Sequence, residues 1–301
     1  MVETYEYRVV RGCSIRYDVY RPKAARGPAP IVVWIHGGAL IGGGRASMQP
    51  VVRELLAERG FAQVSIDYRL APETKLPDII DDVREAFRSI REALPRQLEL
   101  DPARVGVIGG SAGGYLTLMT GFAVAPRPRA LVSLYGYGDI IGPWYSVPDP
   151  FYCQLPLVSE EEARGVVGAG PVSETYPRGP DRFRFYLWCR QTGNWPREIM
   201  GLDPKTDAAA FAPYCPERNV TRAYPPTLLL HGNADTDVPY ERSVDMAARL
   251  ADAGVEHDFI TIDGGPHGFD GRVKLKDWPA QQDSPTGHAL LRIVDWFVER
   301  V

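Results

Sequence analysis

Polar and apolar residues alternate at the start of the chain. Tyr5, Tyr7 and Val9 fall on one side, Glu6 and Arg8 on the other, and alternation resumes from Cys13 to Tyr20. A period of two belongs to a strand packed on one face, so these runs predict a hairpin turning at Arg11-Gly12. Lys23–Pro30 reads as a Pro/Gly/Ala loop. Ile31-Val32-Val33-Trp34-Ile35 is apolar without alternation, as in a strand buried on both faces. Further strands are predicted at Phe61–Tyr68, Arg104–Ile108, Ala130–Tyr135, Thr227–Leu230 and His257–Ile262. Helical spacing predicts helices at Met48–Arg59 (stopped by Gly60), Asp78–Leu94, Ala112–Phe122, Arg242–Ala253 and Thr286–Glu299. Strands alternating with helices over the whole length predict an α/β fold: a mainly parallel sheet covered by helices on both faces, with the hairpin as an antiparallel edge.

One stretch breaks the rhythm. From Gly138 to Tyr224 no strand-like run occurs; instead Trp144, Tyr145, Phe151, Tyr152, Phe183, Phe185, Tyr186, Trp188 and Trp195 stand among prolines. That is too long for an ordinary connection. We expect one domain over residues 1–301 with a helical, aromatic-rich cap at 138–224. Its aromatic residues either form a small core or face a pocket at the junction with the sheet.

Composition narrows the function. The 34 Lys and Arg against 38 Asp and Glu leave a net charge of -4, with no lysine-rich arm or basic stripe, which argues against nucleic acid as a partner. The basic residues of Asp270–Lys276 alternate with others and read as a solvated loop or strand. No apolar run is long enough to span a membrane, and the first residues lack the pattern of a signal peptide. The four cysteines contain no C-x-x-C pair, so neither a disulfide framework nor a metal site is expected, and no cofactor is implied. A cytoplasmic protein is the expectation, and a sheet edge or terminal helix is where a homodimer would form. The 30 Gly and 27 Pro among 301 residues exceed the usual combined share of about 12% and point to tight turns or to backbone held close to a ligand.

Four loops, each directly after a predicted strand, carry candidate chemistry. Gly109-Gly110-Ser111-Ala112-Gly113-Gly114 lies between a buried strand and a helix, where a sharp turn would strain and expose a nucleophilic serine. A helix-capping serine explains the turn less fully, and neither a dinucleotide fingerprint nor a Walker A loop fits these residues. His36-Gly37-Gly38-Ala39 follows Ile35; the amides of Gly37 and Gly38, with that of Ala112, could hold an oxyanion, and His36 would brace the loop. His231-Gly232-Asn233-Ala234-Asp235-Thr236-Asp237-Val238-Pro239 offers the acid. Asp235 is preferred, because a cap or loop role is adequate for Asp237. Asp263-Gly264-Gly265-Pro266-His267 offers the base, since His257 begins a strand, His288 lies in the last helix, and His36 and His231 lead their loops. Ser111, Asp235 and His267 then form a triad in the chain order Ser, Asp, His.

Together these segments resemble the α/β-hydrolase superfamily, and within it the hormone-sensitive-lipase-like serine esterases with a His-Gly-Gly loop. Asp67-Tyr68-Arg69-Leu70-Ala71-Pro72-Glu73, then Leu76-Pro77 and Asp81-Asp82, is similar to that branch's segment after its fourth strand. The resemblance covers nearly the whole chain. It implies Ser111 as nucleophile, Asp235 as acid, His267 as base, and Gly37, Gly38 and Ala112 as oxyanion donors. Three positions depart from its pattern. Gly110 replaces a commonly acidic residue, Ala39 a common glycine, and only residues 1–30 precede the oxyanion strand.

The expected activity is hydrolysis of a carboxylic ester, a small-molecule substrate with a small to medium apolar or aromatic group. A second reading keeps the acyl-enzyme in an acyltransferase or a tailoring or release enzyme acting on a lactone, thioester or arylformamide. A non-enzymatic binding protein fits an intact triad poorly.

Overall fold

Ile31, Val33 and Ile35 lie in one buried cluster and Val32 and Trp34 in another, on opposite faces of β3 (Ala29–Ile35). The computed structural model describes residues 2–22, 27–177 and 181–301. The unbroken apolar run thus marks a strand with a core on each side. Of the loop expected at Lys23–Pro30, residues 23–26 lie outside the described residues, and Ala29 and Pro30 already belong to β3.

The hairpin strands are β1 (Val2–Val10) and β2 (Cys13–Tyr20); β4 (Ala62–Ile66), β5 (Leu100–Gly110), β6 (Ala130–Leu134), β7 (Thr227–Gly232) and β8 (His257–Ile262) complete one sheet. The order is β1-β2-β4-β3-β5-β6-β7-β8. β2 pairs antiparallel with β1 and β4, and every other pair is parallel. On one face pack α2 (Leu76–Glu92), α3 (Ala112–Ala123) and α4 (Glu241–Asp252). On the other pack α1 (Pro50–Glu58) and α5 (Pro285–Arg300). In α2, Leu76, Ile79, Ile80, Val83, Phe87 and Ile90 are buried at the three- and four-residue spacing of one helix face.

The hairpin departs from simple alternation. A register shift between Glu6 and Arg8 leaves Tyr5 and Tyr7 packed against Tyr17 but turns Val9 outward, 56% exposed. A bulge adds one residue, and one residue reverses the faces that follow. Arg8 gains from the reversal by bonding Asp82 at 2.8 Å. Asp82 is buried and also accepts the bidentate pair from Arg69, at 2.7 and 3.0 Å, which accounts for both motif positions. Residues 270–276, expected as a solvated loop or strand, run through two 3-10 turns, Phe269–Arg272 and Leu275–Asp277; Arg272, Lys274 and Lys276 are exposed, but Asp270 is buried.

Between β6 and β7 the described residues contain only short helices, the longest being Phe183–Thr192 and Trp195–Met200. Part of this insert is core. Tyr145 stacks on Trp195 with ring centroids 4.0 Å apart, and both are buried. The insert shares an apolar cluster with the sheet loops and also makes polar contacts to them. The Trp195 Nε1–H donates to the Ala39 carbonyl at 2.9 Å, and Arg182 donates to the carbonyls of Ile41 and Ala71.

Candidate active site

Because β3, β5, β7 and β8 run parallel, the loops at their C-terminal ends gather along one edge of the sheet. Ligands of open α/β sheets bind at that edge. Here it borders a cavity of about 710 Å³ whose walls include Ser111, His267, Gly37 and Gly38.

Ser111 occupies the turn between β5 and α3 with φ 58° and ψ -123°, a region that L residues rarely adopt. The turn needs small neighbours. A Cβ at Gly109 would come 2.4 Å from the Gly113 carbonyl oxygen, and one at Gly113 would come 2.0 Å from that of Ile35. Gly110 has a separate reason: a Cβ there would lie 2.7 Å from the Tyr135 hydroxyl. Tyr135, itself at φ 39°, donates to the buried Asp270 at 2.6 Å and packs edge-on against the His267 ring. Tyr135 and Asp270 were not singled out from sequence; only the missing acidic residue at 110 hints at them.

The Asp235 side chain is fully buried. Its Oδ2 accepts from His267 Nδ1 at 2.7 Å, and its Oδ1 from the backbone N–H groups of Asp237 and Val238 at 2.8 and 3.0 Å. A second imidazole supports it: His231 Nε2 lies 3.1 Å from both Asp235 Oδ2 and the Val238 carbonyl, and its Nδ1 lies 2.8 Å from the Ser243 hydroxyl. A carbonyl can only accept, so His231 carries its proton on Nε2 and Nδ1 accepts from Ser243. Burial opposes the charged form of Asp235, yet the hydrogen bonds from both histidines and the His267 charge hold its pKa well below the usual carboxylate range. For His267, burial works against the imidazolium, but the Asp235 hydrogen bond and the charges of Asp237, Asp235 and Asp270 outweigh it and raise its pKa. Nδ1 bonded to Asp235 leaves Nε2 as the basic nitrogen. Ser111 Oγ makes no hydrogen bond among the described residues and shares the cavity with His267. Catalytic contacts commonly tighten only once substrate is present.

The Gly37 and Gly38 N–H groups have no protein partner among the described residues, and Gly38 (φ +105°), Ala39 (φ 56°) and Leu40 (φ 63°) hold the loop in a left-handed course. Ala112 opens α3, where a helix leaves its N–H without an internal partner. His36 is fully buried, donates from Nδ1 to the Gly37 carbonyl at 2.8 Å and stacks on Tyr68. Burial lowers its pKa to about 4, so it is a neutral brace.

Asp237 was expected to serve only the loop. Its side chain instead reaches the cavity wall, 3.4 Å from His267 Nε2, and is held by Arg190 and Tyr186 of the insert. Tyr152, Phe183 and Tyr186 line the cavity, whereas Phe185 and Trp195 are core, so the insert's aromatic residues divide between the two expected roles. Among the described residues no three His, Cys, Asp or Glu side chains are grouped to hold a metal ion. No helix there is long and apolar enough to cross a membrane.

Two family models match. One, described as BD-FAE, spans residues 17–127 and includes Ser111; the other, the prolyl oligopeptidase family, spans residues 184–298 and includes Asp235 and His267. The chain is 28% identical over 310 residues to the non-reducing polyketide synthase Preu6 of Preussia isomera, covering 92% of this chain but 14% of that protein. It is 29% identical over 277 residues to esterase LipC of Mycobacterium tuberculosis, covering 91% of this chain and 60% of that one. An α/β-hydrolase superfamily protein from Enterococcus faecalis superposes with a TM-score of 0.69 at 21% identity, over 100% of this chain and 99% of the other. Sheet order, strand-end loops and this superposition agree: the chain has the fold of the α/β-hydrolase superfamily.

Proposed function

We propose that the protein is a carboxylic ester hydrolase of the hormone-sensitive-lipase-like branch, working through an acyl-enzyme on Ser111. The observation that carries this reading is the 2.7 Å bond from His267 Nδ1 to the buried Asp235, in the cavity that exposes Ser111 on its strained turn. Ser111 Oγ attacks the ester carbonyl and His267 Nε2 takes its proton. The N–H groups of Gly37, Gly38 and Ala112 hold the oxyanion; loss of one such donor costs about 2.7–4 kcal/mol in comparable sites. His267 then protonates the leaving oxygen, and water, deprotonated by the same nitrogen, frees the acid. Residues 138–224 act as the cap over this site within a single domain, and the cap's Tyr152, Phe183 and Tyr186 favour an apolar or aromatic substrate group. The Gly37-Gly38 pair after His36 supports the branch.

Fluorophosphonate labelling with peptide mapping, followed by p-nitrophenyl ester assays, tests the reading. The adduct is expected on Ser111, and Ser111→Ala should abolish labelling and lower kcat by several orders of magnitude. Labelling elsewhere, or an active alanine variant, refutes it.

The alignment with polyketide synthases favours one second reading, in which the same triad receives a polyketide acyl group from a thioester and releases or transfers it. Turnover of an acyl thioester far faster than of the matching oxygen ester would favour it.

A further inference from the structure

The two carboxylate oxygens of Asp237 are in different situations. Oδ1 accepts from Arg190 Nη1 at 2.7 Å and from the Tyr186 hydroxyl. Arg190 is itself buried, and it bonds the Asp237 carbonyl and the Asp149 carboxylate as well. One cation is therefore shared between two carboxylates, so the cluster keeps a negative charge. Oδ2 is the oxygen turned to the catalytic base, 3.4 Å from His267 Nε2, and the Tyr152 hydroxyl also interacts with this carboxylate. A carboxylate oxygen has two acceptor sites, and 3.4 Å exceeds the usual hydrogen-bond length, so Oδ2 has capacity to spare.

Its place matters because of what His267 Nε2 does in the proposed reaction. The proton taken from Ser111 passes from Nε2 to the leaving oxygen while the carbonyl–oxygen bond breaks and the acyl group stays on Ser111 Oγ. The leaving oxygen must then lie about 3 Å from Nε2, and so no more than about 6 Å from Asp237 Oδ2. A donor group on the second carbon of the leaving alcohol, with its own hydrogen bond of about 2.7 Å, spans that distance. A plain alkyl group would cover the carboxylate and strip its water without replacing it.

We propose that Asp237 is a specificity-determining residue that accepts a hydrogen bond from a hydroxyl or ammonium group vicinal to the scissile ester oxygen. The substrate class is then an ester of a diol, polyol or amino alcohol. Arg190 and Tyr186 hold the acceptor in place before substrate arrives, which spares the cost of ordering it. The inference rests on the esterase reading and adds the chemistry of the leaving group to it.

The test uses four esters sharing whichever acyl group gives the fastest p-nitrophenyl ester turnover, with ethyl, 2-methoxyethyl, 2-hydroxyethyl and 2-(dimethylamino)ethyl leaving groups. A hydrogen bond to a charged acceptor predicts that kcat/KM for the hydroxyl or protonated amine ester exceeds that for the ethyl and methoxyethyl esters by about ten- to a hundredfold. In Asp237→Asn the amide oxygen stays with Arg190 and the NH2 turns to the cavity, so the preference should fall at least about tenfold, with methoxyethyl gaining on hydroxyethyl. Effects of the variant on His267 act on all four esters and cancel in the ratio. Preference for the hydroxyl ester identifies a neutral donor, and preference for the amine an ionic one. Equal kcat/KM across the series in the unaltered protein overturns the inference whether or not the variant folds, and so does a ratio that Asp237→Asn leaves in place. If p-nitrophenyl esters are not hydrolysed and Ser111 takes no fluorophosphonate, the esterase reading fails and this inference with it. Labelled Ser111 with indiscriminate turnover sinks the inference alone.

Discussion

Replacing Gly110 with alanine sets two rules against each other. Gly110 is not among the glycines with positive φ, so its backbone admits an alanine. On that ground Gly110→Ala should stabilise the protein by about 0.4–1 kcal/mol, through reduced freedom of the unfolded chain. The packing says the reverse. The added Cβ would stand 2.7 Å from the Tyr135 hydroxyl and 3.1 Å from two ring carbons. The ring cannot swing aside, because its hydroxyl is bonded to Asp270 at 2.6 Å and its edges meet His267 and Phe269. Overpacking of this kind costs about 1–3 kcal/mol, and we expect it to win. With an unfolding entropy of about 2.1 cal/mol/K per residue over 301 residues, each kcal/mol lowers Tm by roughly 1.6 °C. Tyr135→Phe removes the nearest of the three contacts at the expense of leaving Asp270 Oδ1 without its donor. In that background Gly110→Ala should cost less, with a coupling near 1 kcal/mol. Urea unfolding of the four proteins at a common slope measures the cycle. Stabilisation by Gly110→Ala, or additivity within about 0.5 kcal/mol, refutes the steric account.

Two other outcomes follow from the ionic groups. Arg190 is buried but Asp149 and Asp237 are partly exposed, so Arg190→Met removes their shared cation and should cost about 1.5–3 kcal/mol, read in the same unfolding assay; a change under about 1 kcal/mol contradicts the pairing. His267 must be neutral to act as a base and its pKa is raised above 6.5, so kcat/KM for a p-nitrophenyl ester should fall as pH drops through a midpoint above that value, and Asp235→Asn should move the midpoint down. A midpoint at or below 6.5 shows that burial outweighs the acidic neighbours.

The strands and helices were legible because each has a face or two faces to bury, and burial writes a period into the sequence. The four site loops were legible for a related reason, each being a glycine-containing run set directly after an apolar strand. What stayed hidden depends on contacts between distant residues. No period announces the bulge that turns Val9 outward, because its reward is the bond from Arg8 to Asp82, 74 positions away. Asp237 looked like a loop residue because Arg190 and Tyr186, 47 and 51 positions earlier, are what aim it. Gly110 was visible as a departure, but its cause, Tyr135, lies on the turn after the neighbouring strand.

The division of labour between sheet and insert follows from which groups make those distant contacts. Ser111, Asp235, His267 and their backbone donors all sit on loops fixed by neighbouring strands of one sheet. The insert supplies none of them, yet its buried polar side chains reach three places around the cavity: Trp195 at the Ala39 carbonyl, Arg182 at the Ile41 carbonyl and Arg190 at Asp237. Each contact gives a donor to an acceptor beside the cavity, which makes the insert costly to displace. A substitution in the insert should therefore act on the proposed reaction through the substrate's fit, while one in the strand-end loops acts on the acyl transfer itself. The Asp237 carboxylate stands where these two effects meet, since its backbone N–H bonds Asp235 while its side chain is aimed by the insert.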